Sequence, residues 1–317
     1  MSKLYIVMYH YVRELQKSRY PEIKGLEYAL FKQQLAFFND NFNVVTMEDV
    51  IASVETKTGL PDKALLLTFD DGYIDHFTYV FPMLKEYGMQ GSFFVPGKVF
   101  TEHKLLDVNK IHFLLASSSM DILYGELLKM LNFYRGEEWS YPSNEELIQQ
   151  YAVANRWDSK ETIFFKRMLQ VVLPEKLRGM IVDNLFKKYV NVTEEIIAHE
   201  LYMNYEQMKL MKKDGMYFGI HGYDHYWMNH LSPMKLEDDI NKAIKSMDGL
   251  IDSNKWVINY PYGSYSDSVI KTLKNRGIVL GLSMDVGVAD ISLDNRFVLP
   301  RLDTNDFPPK SDNYCKM

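Results

Sequence analysis

Cysteine is almost missing from this sequence, since Cys315 is the only one in 317 residues. A single thiol cannot form a disulfide within the chain, and it excludes zinc sites and iron–sulfur clusters built from several cysteines. Any metal that this chain binds must therefore be held by histidine, aspartate or glutamate. Histidine is unevenly distributed as well, because none of the eight lies beyond His230.

Long apolar runs and an excess of positive charge are also missing. No stretch approaches the ~20 consecutive apolar residues that a membrane-spanning helix needs. The apolar segment at residues 4–8 is too short for a secretory signal peptide, which predicts a cytoplasmic protein. The formal net charge of −6 argues against nucleic acid as a partner, because such binding depends on Lys and Arg neutralising phosphates.

What the sequence does contain is a regular alternation of short apolar runs and helical patterns at both ends of the chain. Predicted strands cover residues 4–8, 64–69, 91–95, 216–220, 256–259, 278–284 and 297–299. Residues from about 101 to 214 have helical periodicity nearly throughout, which predicts a helical insertion. The alternation predicts an α/β fold with a parallel sheet, open or closed, and about eight strands favour a barrel. We interpret residues 1–317 as one such domain with this insertion.

Polar residues follow these strands at one kind of position, their carboxyl ends. The residues concerned are His10, Asp70, Asp71, His221, His225, the segment Tyr260 to Gly263, Asp285 and Arg301. Ligands and catalytic groups lie at the carboxyl ends of strands in parallel α/β folds. This placement therefore predicts a functional site.

Taken singly, each of these patterns has an ordinary structural explanation. Asp70, Asp71 and Gly72 form a common turn composition, and a histidine pair such as His221 and His225 is more often found on a surface or at a helix cap. Two neutral histidines and one carboxylate together, however, match a catalytic zinc set with open positions. Of two adjacent carboxylates, one can bind a metal while the other takes a proton from water.

The motifs in their order resemble the polysaccharide deacetylases, the NodB-homology family of carbohydrate esterases. The first motif is TFDDGY at residues 68–73, the second is HGYDH at 221–225, and the third is NYPYG at 259–263. The segments MYHYV at 8–12, GSFFV at 91–95 and FVLPR at 297–301 are similar to flanking strands of the family. The resemblance covers about residues 1–100 and 215–303 and leaves the insertion uncovered.

This resemblance implies a distorted (β/α)7–8 barrel and metal-dependent removal of an acetyl group from an N-acetylated amino sugar. Asp70 would be the general base, and the Tyr262 backbone N–H would donate to the oxyanion. Asp71, His221 and His225 would hold a divalent metal, with Zn²⁺ expected first and Co²⁺, Ni²⁺ or Mn²⁺ as alternatives.

Three departures from the family pattern affect the expected roles. Gly222 stands where Ser or Thr is usual, which removes a supporting hydrogen bond. Asn259 stands where many members have an arginine directed at the base, and Arg301 is our candidate to replace it. The usual late histidine, the general acid, has no counterpart, so we predict that His10 replaces it. The alternative is that His10 is only a buried structural histidine.

The substrate prediction follows from the family and from the cytoplasmic expectation. We expect an N-acetylated sugar that is nucleotide-linked, lipid-linked or part of a glycan, as an intermediate of surface polysaccharide or lipopolysaccharide synthesis. Tyr73, Tyr260 and Asp285 are the predicted substrate contacts. Two alternatives stay open: a catalytically inactive sugar-binding relative, and a deformylase or amidase acting on another small N-acyl substrate.

Overall fold

The computed structural model describes residues 3–155, 158–291 and 295–317. Within these residues the strands are β1 (Lys3–Tyr9), β2 (Val12–Arg13), β3 (Leu26–Glu27), β4 (Asn43–Val44), β5 (Ala64–Asp70), β6 (Gly91–Val95), β7 (Tyr217–Ile220), β8 (Trp256–Asn259), β9 (Ile278–Val286), β10 (Ala289–Asp290) and β11 (Leu299–Asp303). The helices are α1 (Tyr28–Asn41), α2 (Met47–Thr56), α3 (Phe81–Tyr87), α4 (Gly97–Thr101), α5 (Asp107–Ser117), α6 (Met120–Tyr134), α7 (Asn144–Tyr151), α8 (Lys160–Arg167), α9 (Glu175–Tyr189), α10 (Glu194–Leu201), α11 (Tyr205–Lys213), α12 (Pro233–Ser246) and α13 (Asp267–Lys274).

Seven of the described strands run parallel and close into a barrel. Their order is β1, β11, β9, β8, β7, β6 and β5, and β5 pairs back onto β1 along six residues. Two short strands extend the sheet, with β4 beside β5 and β10 antiparallel to β1. The predicted (β/α)7–8 barrel is confirmed, with seven strands in the closed ring.

Alternate residues of the strands fill the barrel interior. Leu4 and Ile6 of β1, Leu66 of β5 and Val257 of β8 belong to one buried cluster. Because side chains alternate between the two faces of a strand, Asp70 continues the inward-facing row that contains Leu66. The same alternation carries Asn259, two residues after Val257, to the carboxyl end of the interior.

The last barrel strand lies later in the sequence than predicted. The prediction ended it at Leu299, but the strand covers Leu299–Asp303 and includes Pro300, although proline cannot donate to the ladder of hydrogen bonds. The pairing with β9 shifts register between Leu299 and Arg301, and this irregularity accommodates the proline. Arg301 therefore lies within the strand, and Asp285 likewise lies inside β9 and does not follow it.

The helical segment after β5 is not α-helical throughout. His76–Val80 form a π-helical turn that continues directly into α3. Such turns insert one extra residue per turn and are frequent at functional sites. Here the turn contains His76, which is fully buried.

The described residues divide into two compact units. The barrel unit comprises Met1–Glu14, Gly25–Lys104 and Ala198–Met317, and the helical unit comprises Leu15–Lys24 and Leu105–Ile197. In the helical unit α5 packs against α9, and the buried Lys110 pairs with Asp183 at 2.7 Å and with Glu194 at 3.1 Å. None of the helices in the described parts of the chain is long and apolar enough to cross a membrane.

Candidate active site

Asp70 and Asp71 lie at the carboxyl end of β5, where the chain turns sharply. Asp71 and Gly72 both have positive φ, 72° and 71°. A Cβ at position 72 would lie 2.5 Å from Cγ1 of Val95, so only glycine fits this turn. The turn directs the two adjacent carboxylates toward different neighbours.

Asp71, His221 and His225 converge, and we call them the metal cluster. Oδ1 of Asp71 lies 3.5 Å from Nε2 of His221 and 3.4 Å from Nε2 of His225. The two Nε2 atoms are 3.2 Å apart. All three side chains are buried, so their polar atoms have little access to bulk water.

Two contacts behind the metal cluster hold its members in place. Nδ1–H of His221 donates to the Asn259 carbonyl at 2.6 Å, which leaves Nε2 with its lone pair toward the cluster. The Tyr73 hydroxyl donates to Oδ2 of Asp71 at 2.6 Å. Oδ1 of Asp71 and Nδ1 of His225 have no hydrogen-bond partner among the described residues.

The protonation states in the metal cluster follow from burial and from mutual interactions. Burial alone would raise the pKa of Asp71, but the neighbouring His221 and His225 bring that pKa well below its usual range. Burial, together with the nearby His221, lowers the pKa of His225 to about 3. Near neutral pH the cluster therefore offers a carboxylate and the lone pair of a neutral imidazole at His225.

These residues fit a small divalent cation. Three donor atoms placed about 2.0–2.1 Å from a tetrahedral zinc ion would lie about 3.3–3.4 Å from one another. The observed separations of 3.2–3.5 Å match that spacing. Lone pairs so close to one another repel unless a proton or a cation lies between them, and two nitrogens with one oxygen suit zinc and its neighbours in the transition series.

Asp70 belongs to a second group, which we call the proton-transfer cluster and which comprises Asp70, Arg301 and His10. The Arg301 guanidinium donates from Nη1 to Oδ1 of Asp70 at 3.0 Å and from Nη2 to Oδ2 at 2.9 Å. Its Nε donates to the Ser283 carbonyl at 2.9 Å. Arg301 is thus placed where the sequence analysis expected a replacement for the arginine missing at Asn259.

The charge on Arg301 also determines the ionisation of Asp70. Burial alone would raise the pKa of Asp70, but the Arg301 guanidinium, helped by His10 and His221, lowers it below its usual value. Asp70 is therefore ionised at neutral pH. A carboxylate in that state can accept a proton.

His10 is the exposed member of the proton-transfer cluster. Its Nε2 lies 3.8 Å from Oδ2 of Asp70, and 38% of its side chain is exposed. The His10 carbonyl accepts a hydrogen bond of 2.9 Å from Nε2 of the buried His76. His10 is therefore not the buried structural histidine that the sequence analysis held as the alternative, and its ring lies beside the carboxylate at the barrel mouth.

Asp239 of α12 is a supporting residue that the sequence analysis missed. Its carboxylate accepts from the backbone N–H groups of Tyr223 at 3.0 Å and Asp224 at 2.9 Å. Gly222, just before them, has a φ of 69°, which a Ser or Thr side chain would adopt only with strain. The loop that carries both histidines is thus held from α12, a contact without any local sequence signal.

Tyr262 and its neighbours form the aromatic side of the site. Tyr262 has a φ of 57°. Its ring lies edge-on to the His225 ring, with 4.7 Å between the ring centroids, and stacks on the Trp227 ring, with 4.9 Å between the centroids. Asp71, His225 and Tyr262 are all non-glycine residues with positive φ. Backbone conformations of this kind are unfavourable for such residues, and they concentrate at functional sites.

The three predicted substrate contacts occupy different environments. Tyr73 and Tyr260 are fully buried, and the Tyr260 hydroxyl has no hydrogen-bond partner among the described residues. Asp285 is exposed, and its Oδ2 accepts from the hydroxyls of Tyr265 and Ser283, each at 2.9 Å. Of the three, only Asp285 is placed at a solvent-accessible position.

Comparison with known proteins identifies the family. A family model described as polysaccharide deacetylase matches residues 57–123 and 174–281, more than half of the chain. The chain therefore belongs to the polysaccharide deacetylase family. A Bacillus subtilis (strain 168) protein named "Putative polysaccharide deacetylase YxkH" is 19% identical over 289 residues, which cover 91% of this chain and 67% of that protein.

Solved structures share the fold at low sequence identity. The Streptococcus pyogenes deacetylase PplD, solved in complex with acetate, has a TM-score of 0.58 at 18% identity and covers 99% of this chain and 96% of its own. IcaB from Ammonifex degensii has a TM-score of 0.55 at 18% identity and covers 100% of this chain and 98% of its own. These similarities extend the fold over the whole chain, including the segment that the sequence resemblance left uncovered.

Proposed function

We propose that this protein is a metal-dependent hydrolase that removes the acetyl group from an N-acetylated amino sugar. The observation that carries the proposal is the meeting of two clusters at one barrel mouth. One offers three converging donor atoms, and the other offers an ionised carboxylate held by a bidentate arginine. Amide hydrolysis needs both an electrophilic activator and a base.

Asp71, His221 and His225 are the proposed metal ligands. A divalent cation held there, Zn²⁺ first and Co²⁺, Ni²⁺ or Mn²⁺ as alternatives, would act as a Lewis acid on the acyl oxygen and make water more acidic. The fixed tautomer of His221 and the single free oxygen of Asp71 keep the donor atoms directed at one point. This arrangement provides three protein donors and leaves further positions open, as in catalytic zinc sites.

Asp70 is the proposed general base. It takes a proton from the attacking water, and Arg301 holds both carboxylate oxygens so that the base keeps one orientation. We propose that the Tyr262 backbone N–H donates to the developing oxyanion. Two observations support this assignment: Tyr262 has a left-handed backbone conformation, and its ring contacts the ring of His225.

His10 is the proposed general acid. Hydrolysis releases acetate and the free amine of the sugar, and the departing nitrogen needs a proton because an amide anion is a poor leaving group. The imidazole of His10 is partly exposed beside Asp70, so it can reach both the substrate and the proton that Asp70 takes from water. Imidazole is the side chain that most often serves as a general acid or base in enzymes.

The substrate class is part of the proposal. An N-acetylated amino sugar within a glycan, or linked to a nucleotide or lipid, provides the amide that this chemistry cleaves. We propose that the exposed Asp285 contacts a hydroxyl group of the sugar. Tyr73 and Tyr260 are buried, so they would influence the substrate only indirectly, through neighbouring residues. This makes Asp285 the predicted contact to test first.

The test is metal analysis joined to a deacetylation assay on a panel of N-acetyl glycans and sugar nucleotides. Asp70→Asn should keep its metal and lower turnover by ~10²-fold or more, the usual scale for a lost general base. Unchanged turnover in this variant would show that Asp70 is not the base. Metal retention without turnover of any substrate by the wild type would instead support a sugar-binding relative.

His10→Ala tests the proposed acid separately. Because His10 is partly exposed, the variant should keep its metal and its melting temperature and lose turnover by about 10²-fold. A lowered melting temperature with normal turnover of the folded fraction would assign His10 a structural role. Near-normal values of both would mean that Asp70 carries the proton in both directions.

A further inference from the structure

The buried position of the Tyr73 side chain indicates a role other than direct contact with substrate. It is fully buried at the turn after β5, and its hydroxyl donates to Oδ2 of Asp71 at 2.6 Å. The other oxygen of the same carboxylate, Oδ1, is the one that faces His221 and His225. The two oxygens of Asp71 are thus assigned to different partners.

The Tyr73 ring is itself in contact with two other tyrosine rings of the barrel unit. It stacks on Tyr11 at 4.0 Å with an interplanar angle of 16°, and on Tyr202 at 6.2 Å with an angle of 10°. Its backbone forms an isolated bridge with Tyr202, and the Met203 N–H donates to the Gly72 carbonyl at 2.9 Å. A fully buried ring with these contacts can move its hydroxyl very little.

We propose that Tyr73 is a positioning residue for the metal site. Its hydroxyl engages Oδ2 of Asp71, so that Asp71 binds the metal through Oδ1 only. The inference rests on the proposed function, because it assumes that the metal cluster binds a cation. A hydrogen bond to the outer oxygen restrains rotation of the carboxylate and discourages binding through both oxygens. Contacts of this kind behind a metal ligand typically change metal affinity by 10–100-fold.

The test compares Tyr73→Phe with Tyr9→Phe in the full chain. Tyr9 is also fully buried, and its hydroxyl donates to Oε1 of Gln34 at 2.9 Å, so the control removes a comparable hydrogen bond elsewhere. Affinities for Co²⁺ and Zn²⁺ are measured by competition with a chromophoric chelator. Tyr73→Phe should bind each metal about 10–100-fold more weakly, with a changed Co²⁺ absorption spectrum, and Tyr9→Phe should match the wild type.

An affinity of Tyr73→Phe equal to or tighter than that of the wild type would overturn the inference. So would an equal loss in both variants, because a general effect on stability would then explain it. Asp71→Ala separates this failure from that of the proposed function. If the wild type and Asp71→Ala bind metal equally well, the metal cluster is not the metal site and both proposals fail; if only Asp71→Ala loses metal, the role of Tyr73 alone is rejected.

Discussion

The metal cluster and the proton-transfer cluster meet at the same barrel mouth but are built differently. Every member of the metal cluster is buried, and His221 and Asp71 are held from behind by the Asn259 carbonyl and the Tyr73 hydroxyl. The proton-transfer cluster pairs two buried side chains, Asp70 and Arg301, with a partly exposed His10. Donor atoms for a metal must be rigid, whereas a proton must travel between protein, water and substrate.

The two adjacent carboxylates show that the local sequence explains little of this difference. Asp70 and Asp71 have the same type of side chain, lie at the same strand end and are both almost completely buried. Arg301 gives one of them a full bidentate ion pair, and two imidazoles and a phenol surround the other. The different roles proposed for them therefore depend on their neighbours.

The strongest way to break this comparison is to remove the Asp71 carboxylate. Asp71→Ala should lose tightly bound metal and lower turnover by ~10³–10⁴-fold, since a Lewis acid stabilises the transition state by several kcal/mol. Metal content and kcat are measured together, with Asp70→Asn as the variant that keeps metal. Equal metal loss in both variants would show that the two carboxylates do not have separate roles.

Removing Arg301 is expected to have the next largest effect, this time on stability. Arg301→Met leaves Asp70 buried without its partner and should cost about 3–5 kcal/mol in the free energy of unfolding, with Arg301→Lys costing less. Chemical denaturation measures both. The control is Arg276→Met, which breaks an ion pair with Glu237 that is more than a third exposed and should cost about 1 kcal/mol or less. Similar losses at the two sites would contradict a special contribution of the buried pair.

Acid stability tests the support beneath the proton-transfer cluster. Burial lowers the pKa of His76 from 6.5 to about 4, so the unfolded chain binds a proton that the folded protein excludes. The effect of His76 on the free energy of unfolding is therefore fully favourable above pH 6.5. As the pH falls toward 4, the free energy of unfolding decreases by on the order of 3 kcal/mol. In a chelator, His76→Gln should have a flatter pH profile of unfolding free energy in that window. The exposed His230→Gln is the control, and an unchanged profile in His76→Gln would contradict the prediction.

The smallest expected effect concerns the aromatic side of the site. Trp227 stacks on Tyr262, and an aromatic pair is worth about 0.5–1.5 kcal/mol beyond its buried area. Trp227→Ala should therefore lower kcat by up to about tenfold with little change in KM, while Trp227→Phe keeps most of the activity. Trp139→Ala, which changes a partly exposed tryptophan of the helical unit, is the control. A change confined to KM would indicate substrate binding instead of positioning.

Much of the barrel could be predicted because strand periodicity and turn composition are local. The runs at 91–95 and 256–259 match β6 and β8 residue for residue. The prediction was wrong where pairing with a distant strand extended a strand beyond its local apolar run. The last strand was predicted to end at Leu299, but pairing with β9 carries β11 past Pro300 through a shift of register.

The sequence by itself determined the alternation of strands and helices, and it placed the polar residues of both clusters, apart from Arg301, at or just after the ends of strands. Only the tertiary structure decided which of them meet. Arg301 reaches Asp70 across 231 positions, Asp239 holds the histidine loop from α12, and Tyr73 turns inward to Asp71. The physical reason is that periodicity depends on neighbours along the chain, whereas ion pairs, burial and left-handed turns at Asp71, His225 and Tyr262 depend on how the closed barrel brings distant strand ends together.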